Sequence, residues 1–180
     1  SYLTLASKSK DNAALLHRLM RTSYLKVKVS NDVIGIEYAA TLKNVYALAS
    51  GIAHGLSYGD NFQSVLISNS TREMNRFIKK VSNRKRNINH SAYLGDLLVT
   101  AYSLFSRNRR FGNMIGRGYT VKGAQLEMNM VAEGYYACES AYKMSKSLGV
   151  NTPIIDAIYG VLYLKKSPRR MFQKLSKKLS

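Results

Sequence analysis

Between Asp32 and Gly55 the chain runs VIGIEYAATLKNVYALASGIAHG, apolar for most of its length but carrying Glu37, Lys43 and His54. Those three keep every uncharged stretch below the roughly 18 residues that a membrane span requires. Asp32 stands where a helix N-cap is wanted, and Leu42, Val45, Ala49 and Ile52 recur at the spacing of one helical face. A long helix with such a stripe needs other elements to cover it. At 180 residues and 46% apolar, the chain is long enough to form that core as one ordinary domain, with or without a remnant of another.

The pattern changes near residue 32. Ahead of it, YLTLAS reads as a short strand, KDNAALLHRLMRT as an amphipathic helix and YLKVKVS as an alternating strand. That β-α-β piece is too small to stand alone. Behind it helical signals dominate. Asp60 is expected to cap a helix through NFQSVLISNSTREMNRFIKKV, and a later helix through YYACESAYKMSKSL stops at Gly149. Thr152-Pro153 and Ser167-Pro168 each place a cap before a first-turn proline. Arg84-Lys85-Arg86 reads as a loop, and no internal repeat is present. The expected fold is mainly α, an all-helical domain over residues 32–180 behind a β-α-β stub over residues 1–31. The chain begins at Ser1 without a methionine, which reads as a piece of something longer.

The net charge of +18 points to anionic partners, with nucleic acid, a membrane surface and phosphorylated metabolites all open. A single cysteine, Cys138, makes no internal disulfide and reads as a buried thiol in a reducing compartment. No signal peptide is visible. Basic clusters at 84–86, 107–110 and 165–178, interleaved with tyrosines, support a helical module that binds nucleic acid. No nucleic-acid motif accompanies them, and a basic face alone gives only salt-sensitive, unspecific binding.

Two segments could carry chemistry. Lys43 has Ala39 and Ala40 one helical turn before it and Tyr46 and Ala47 one turn after. Among such neighbours a lysine either snorkels outward or becomes a partly desolvated ammonium poised for proton transfer, with room left for a ligand. The stretch LGDLLVTAYSLFSRNRRFG sets Asp96 inside an apolar run, where a carboxylate needs a partner that Lys43 could supply. A purely structural salt bridge explains that pair equally well. Some ten residues on, Ser106-Arg107-Asn108 offers a hydroxyl, a planar guanidinium fork and an amide, donors suited to phosphate oxygens; a solvated loop is the plainer alternative. Neither a G-x-G-x-x-G fingerprint nor a Walker motif occurs, and no His/Cys/Asp/Glu set has metal-ligand spacing, so no metal is expected. His17, His54 and His90 read as structural or solvated.

Three blocks, EYAATLKNVYALASGIAHGLSYGDN, LGDLLVTAYSLFSRNRRFG and MVAEGYYACESAYKMSKSLGVNTPIIDAIYGVLY, resemble in order and spacing the bacterial-type NAD(P)-dependent glycerol-3-phosphate dehydrogenases. The resemblance implies that residues 1–31 end a dinucleotide-binding domain and that residues 32–180 are a substrate domain of the 6-phosphogluconate dehydrogenase C-terminal type. It implies reversible, NAD- or NADP-dependent reduction of dihydroxyacetone phosphate to glycerol 3-phosphate for glycerophospholipid synthesis in the cytoplasm, the piece alone being inactive. By the same resemblance Lys43 is the catalytic lysine, and Asp96, Ser106, Arg107 and Asn108 bind the substrate beside it. Arg107, Val131 and Glu133 contact the cofactor, and Asn44 supports. A homodimer is left open, as is another hydroxy-acid substrate. Ala39, Ala40 and Thr41 replace the glycines usual before the lysine, and Ala101 stands where a cysteine or other small residue is common; neither change removes a chemical group.

Overall fold

The computed structural model describes residues 1–128, 130 and 132–180. Strand β1 (Tyr2–Ala6), helix α1 (Lys10–Met20) and strand β2 (Lys26–Ser30) form the expected unit, with β1 and β2 parallel in the register Tyr2↔Lys26 to Ala6↔Ser30. The Ser9 side chain accepts the Asn12 N–H and starts α1. On α1, Leu15, Leu16 and Leu19 remain exposed.

Helix α2 (Val33–Gly55) is the axis of everything that follows: α3 (Asp60–Val81), α4 (Asp96–Tyr102), α5 (Arg107–Gly116), α7 (Glu133–Ser147) and α8 (Pro153–Leu162) all pack on it. Short α6 (Val121–Glu127) packs on α5, and α9 (Pro168–Ser176) lies on α8 and α5. The Asp32 carboxylate accepts the Gly35 N–H at 3.2 Å and caps α2 as its sequence position foretold. The stripe Leu42, Val45, Ala49 and Ile52 is buried, but so is every residue from Val45 to Ala53. Small side chains explain the difference. Ala47, Ala49, Gly51 and Ala53 let neighbours close in from all sides, and α5 comes nearest. A Cβ on Gly112 would overlap the Leu48 carbonyl oxygen, and one on Gly51 the Arg109 carbonyl oxygen. Ser50, buried on the same helix, lies 2.9 Å from Gln63 Oε1 and 3.0 Å from the Ala101 carbonyl, so its hydroxyl is satisfied.

Two local expectations change. Asp60 is the first residue of α3, not its cap; Gly59 holds that position without a side-chain bond. Thr152 sits at the cap of α8, yet its side chain makes no capping bond. The work is done by Glu73 of α3, whose carboxylate accepts the N–H of Ile154 at 2.8 Å and of Ile155 at 3.1 Å. Arg86 lies in the expected loop, its side chain 4% exposed against Asp32. Gly149 does end α7, at φ +61°, and the Ser167 side chain does cap α9. Among the described residues no helix is long and apolar enough to cross a membrane.

Candidate active site

The site grows out of the middle of α2, where two consecutive residues face different partners. Lys43 Nζ donates to Asp96 Oδ2 at 2.7 Å. Asn44 Oδ1 accepts from Asn108 Nδ2 at 3.1 Å, and Asn44 Nδ2 reaches Glu133 Oε2 at 3.5 Å. One residue of α2 thus engages the start of α4, and the next engages the starts of α5 and α7.

Each partner is delivered by a helix beginning. A π-helical turn over Ser91–Gly95 leads directly into Asp96, the first residue of α4. That turn is pinned from behind, because the Tyr93 hydroxyl donates to Asp32 Oδ2 at 2.6 Å while Arg86 Nε donates to the same oxygen at 2.8 Å. Arg86 holds the Asp32 carboxyl down at about 2, and burial with the Asp32 hydrogen bond pushes the Tyr93 phenol up to about 12. The cap of α2 and the mount of Asp96 are therefore one buried cluster. Thr100, one turn beyond Asp96, donates to the Asp96 carbonyl at 2.7 Å and shares its face of α4.

Asp96 departs from expectation. Its side chain is 39% exposed and that of Lys43 23%, so the pair stands at a rim, not inside the core. The apolar run around Asp96 misled because Leu97 and Ala101 point inward while Asp96, on the helix's first turn, looks sideways toward α2. Beside Asp96 a cleft of about 530 Å³, walled by Leu3, Thr4, Ile36 and Val99, opens between β1 and α4.

The α5 side is more enclosed. Ser106 caps α5, its Oγ accepting the Arg109 N–H at 3.3 Å, so this hydroxyl is already engaged with backbone. Asn108 is buried, with Oδ1 accepting the Gly134 N–H at 2.8 Å while Nδ2 serves Asn44. A Cβ at residue 134 would lie 2.6 Å from the Asn44 carbonyl oxygen, which makes glycine the residue that lets α7 start against α2. Arg107 pairs with Glu133 Oε1 at 3.3 Å, both side chains well exposed. The structure thus gathers Lys43 with Asp96, and Asn44 with Asn108, Glu133 and Arg107. Val131 lies outside the described residues. Sequence reasoning treated Asn44 as a mere follower of Lys43; its amide at one helical step was the available signal for the hub it forms. Among the described residues no three His, Cys, Asp or Glu side chains are placed to hold a metal ion.

An ammonium fixed by one carboxylate at an open rim, next to a linked set of amides and a guanidinium, can deliver a proton to an oxygen while donors nearby hold an anion. Comparison with known proteins gives this arrangement a context. A family model described as NAD-dependent glycerol-3-phosphate dehydrogenase C-terminus matches residues 32–173. A glycerol-3-phosphate dehydrogenase (NAD(P)+) of Exiguobacterium is 39% identical over 176 residues, 98% of this chain and 52% of the relative. One of Clostridium botulinum is 36% identical over 173 residues, 96% of this chain and again 52% of the relative. The chain therefore spans about half the length of these curated relatives. Among solved structures, the glycerol-3-phosphate dehydrogenase of Coxiella burnetii superposes with a TM-score of 0.93 at 28% identity, covering 97% of this chain and 54% of that one.

Proposed function

The chain belongs to the NAD-dependent glycerol-3-phosphate dehydrogenase family, and from that premise we propose that residues 32–180 are the substrate domain of an enzyme interconverting dihydroxyacetone phosphate and sn-glycerol 3-phosphate. Residues 1–31 then close the nucleotide-binding domain, a role supported by the exposed leucines of α1, which such a domain would cover. The observation that carries the reading is the 2.7 Å Lys43–Asp96 contact at the rim of a cleft.

In this reading the Lys43 ammonium donates a proton to the C2 oxygen as negative charge develops there, and takes it back in the reverse direction. Asp96 fixes where that ammonium points. The N-terminal end of α5, with Arg107 and the Asn108–Asn44 amide pair, holds the phosphate, since helix beginnings and guanidinium forks both favour anions. Ser106 acts there by shaping the start of α5. Bound NADH or NADPH supplies the hydride. Arg107 and Glu133, side by side and open to solvent where α5 and α7 begin, form a polar lip that suits such a cofactor; Val131 belongs to the same proposal. We extend the reading to a cytoplasmic enzyme feeding glycerophospholipid synthesis, to a homodimer, and to the absence of a specific nucleic-acid partner.

The test is dihydroxyacetone-phosphate-dependent oxidation of NADH and NADPH by the full-length protein, with Lys43→Ala beside it. Turnover should fall by about 10²–10⁴ in the variant with its fold unchanged. Turnover that survives in the variant removes Lys43 as the acid, and no turnover with either cofactor overturns the activity.

A further inference from the structure

Nothing in the proposed chemistry uses the basic C-terminal segment. No acidic residue occurs after Asp156, while LKKSPRRMFQKLSKKL concentrates lysines and arginines. Helix α9 sorts them. Phe172 and Leu175 are buried in the core, and Met171 packs beside them. At 100° per residue Arg170, Lys174 and Lys177 fall on the opposite side, at i, i+4 and i+7, in a row about 10 Å long. All three are exposed, as are Arg169, Lys165, Lys166 and Lys178 around them. None of these cations is in a salt bridge within the described residues. Like charges at i, i+4 weaken a helix, so the row does not serve folding.

We propose that this outer face of α9 docks the protein on membranes rich in anionic phospholipids. Three observations select that partner. Clusters of four to eight lysines and arginines on an amphipathic helix are the pattern that anionic headgroups attract. The face carries no exposed aromatic, Phe172 being wholly buried, so it lacks the stacking platform that single-stranded nucleic acids use. Leu164, half exposed beside Lys165 and Lys166, gives the cluster one apolar contact for the headgroup boundary. Because the apolar face of α9 is committed to the core, attachment is electrostatic, reversible and screened by salt.

The experiment is sedimentation of the full-length protein with vesicles of phosphatidylcholine alone or with about a third phosphatidylserine, at low salt and at about 0.5 M. The protein should pellet only with the anionic vesicles and only at low salt. Arg170→Gln/Lys174→Gln/Lys177→Gln should lower the partition coefficient about a hundredfold. Lys79→Gln/Lys80→Gln/Lys85→Gln, which removes equal charge from other exposed sites, should keep it within a few-fold, both variants melting like the parent. The proposal is overturned by failure to pellet with anionic vesicles, or by equal losses in the two variants. It is overturned as well if the α9 variant loses duplex DNA binding while keeping its vesicle binding.

Discussion

Glu73, wholly buried on α3, lies 2.8 Å from the N–H of Ile154 and so supplies from another helix the hydrogen-bond acceptor that the beginning of α8 requires. The same carboxylate takes the Ile155 N–H, while the buried Tyr46 hydroxyl has no hydrogen-bond partner among the described residues. Burial pushes the Glu73 carboxyl up from 4.5 to about 7, against the opposing pull of those two N–H groups and of Arg76.

Stability should therefore fall as pH rises from 4.5 to about 7. In that window the folded protein keeps the Glu73 proton and the unfolded chain has released it, so unfolding releases a proton and rising pH favours it. Denaturant unfolding across this range measures the slope, and Glu73→Gln should flatten it. Glu73→Ala orphans two buried N–H groups at about 1–3 kcal/mol each and should lower the unfolding free energy by several kcal/mol at any pH.

Asp32 behaves in the opposite sense. Arg86 lowers its carboxyl from 3.8 to about 2, so it stabilises the fold above 3.8 and loses that contribution as pH falls toward 2. Arg86→Ala leaves the Asp32 charge buried without its partner and should cost about 3–5 kcal/mol. Because Tyr93 donates to the same carboxylate and precedes Asp96 by three residues, the variant should also weaken the proposed substrate site. Chemical denaturation and turnover of dihydroxyacetone phosphate by the full-length protein, measured on one preparation, check both effects.

Local signals carried the change from the β-α-β unit to helices near residue 32, the caps at Asp32 and Ser167 and the stop at Gly149, since each depends on neighbours within a few residues. The pairing of Lys43 with Asp96 was also legible, as an acid in an apolar run and a lysine among small residues both ask for a partner. What escaped was set by long-range packing. Glu73 reaches α8 across 81 residues, Arg86 reaches Asp32 across 54, and the Asn44 hub gathers side chains 64 and 89 residues away. A basic triplet in a loop gives no sign that one of its members is buried. The glycines of α2 and α5 did leave a trace, in the four-residue spacings Gly51–Gly55 and Gly112–Gly116, which mark close helix contact.

Gly112→Ala tests that contact. The added methyl would overlap the Leu48 carbonyl oxygen, which is main chain in the centre of the core helix and has no room to retreat. Overpacking of this kind costs about 1–3 kcal/mol, and more where backbone must shift. A drop of that size in unfolding free energy is expected, together with weakened function, because α5 also carries Arg107 and Asn108. Gly118→Ala is the control of opposite origin. A Cβ there meets nothing within 4 Å among the described residues, but φ is +102°, so its cost is conformational and should leave the α2–α5 contact intact.

Asp96→Asn separates positioning from simple stability. Asparagine keeps the shape and one acceptor 2.7 Å from Lys43 Nζ but gives up the charge that holds the ammonium. With 39% and 23% of the two side chains exposed, the ion pair is worth about 1 kcal/mol or less to folding, so the melting temperature should barely move. Turnover of dihydroxyacetone phosphate by the full-length protein should nevertheless fall about tenfold to a hundredfold, because small misplacements of a proton donor are amplified in the transition state. KM should change far less, since the phosphate is assigned to Arg107, Asn108 and the start of α5. A lost melting temperature with unchanged turnover would make the pair a structural brace; a raised KM with intact turnover would make Asp96 a substrate clamp and leave the orientation of Lys43 to its helix.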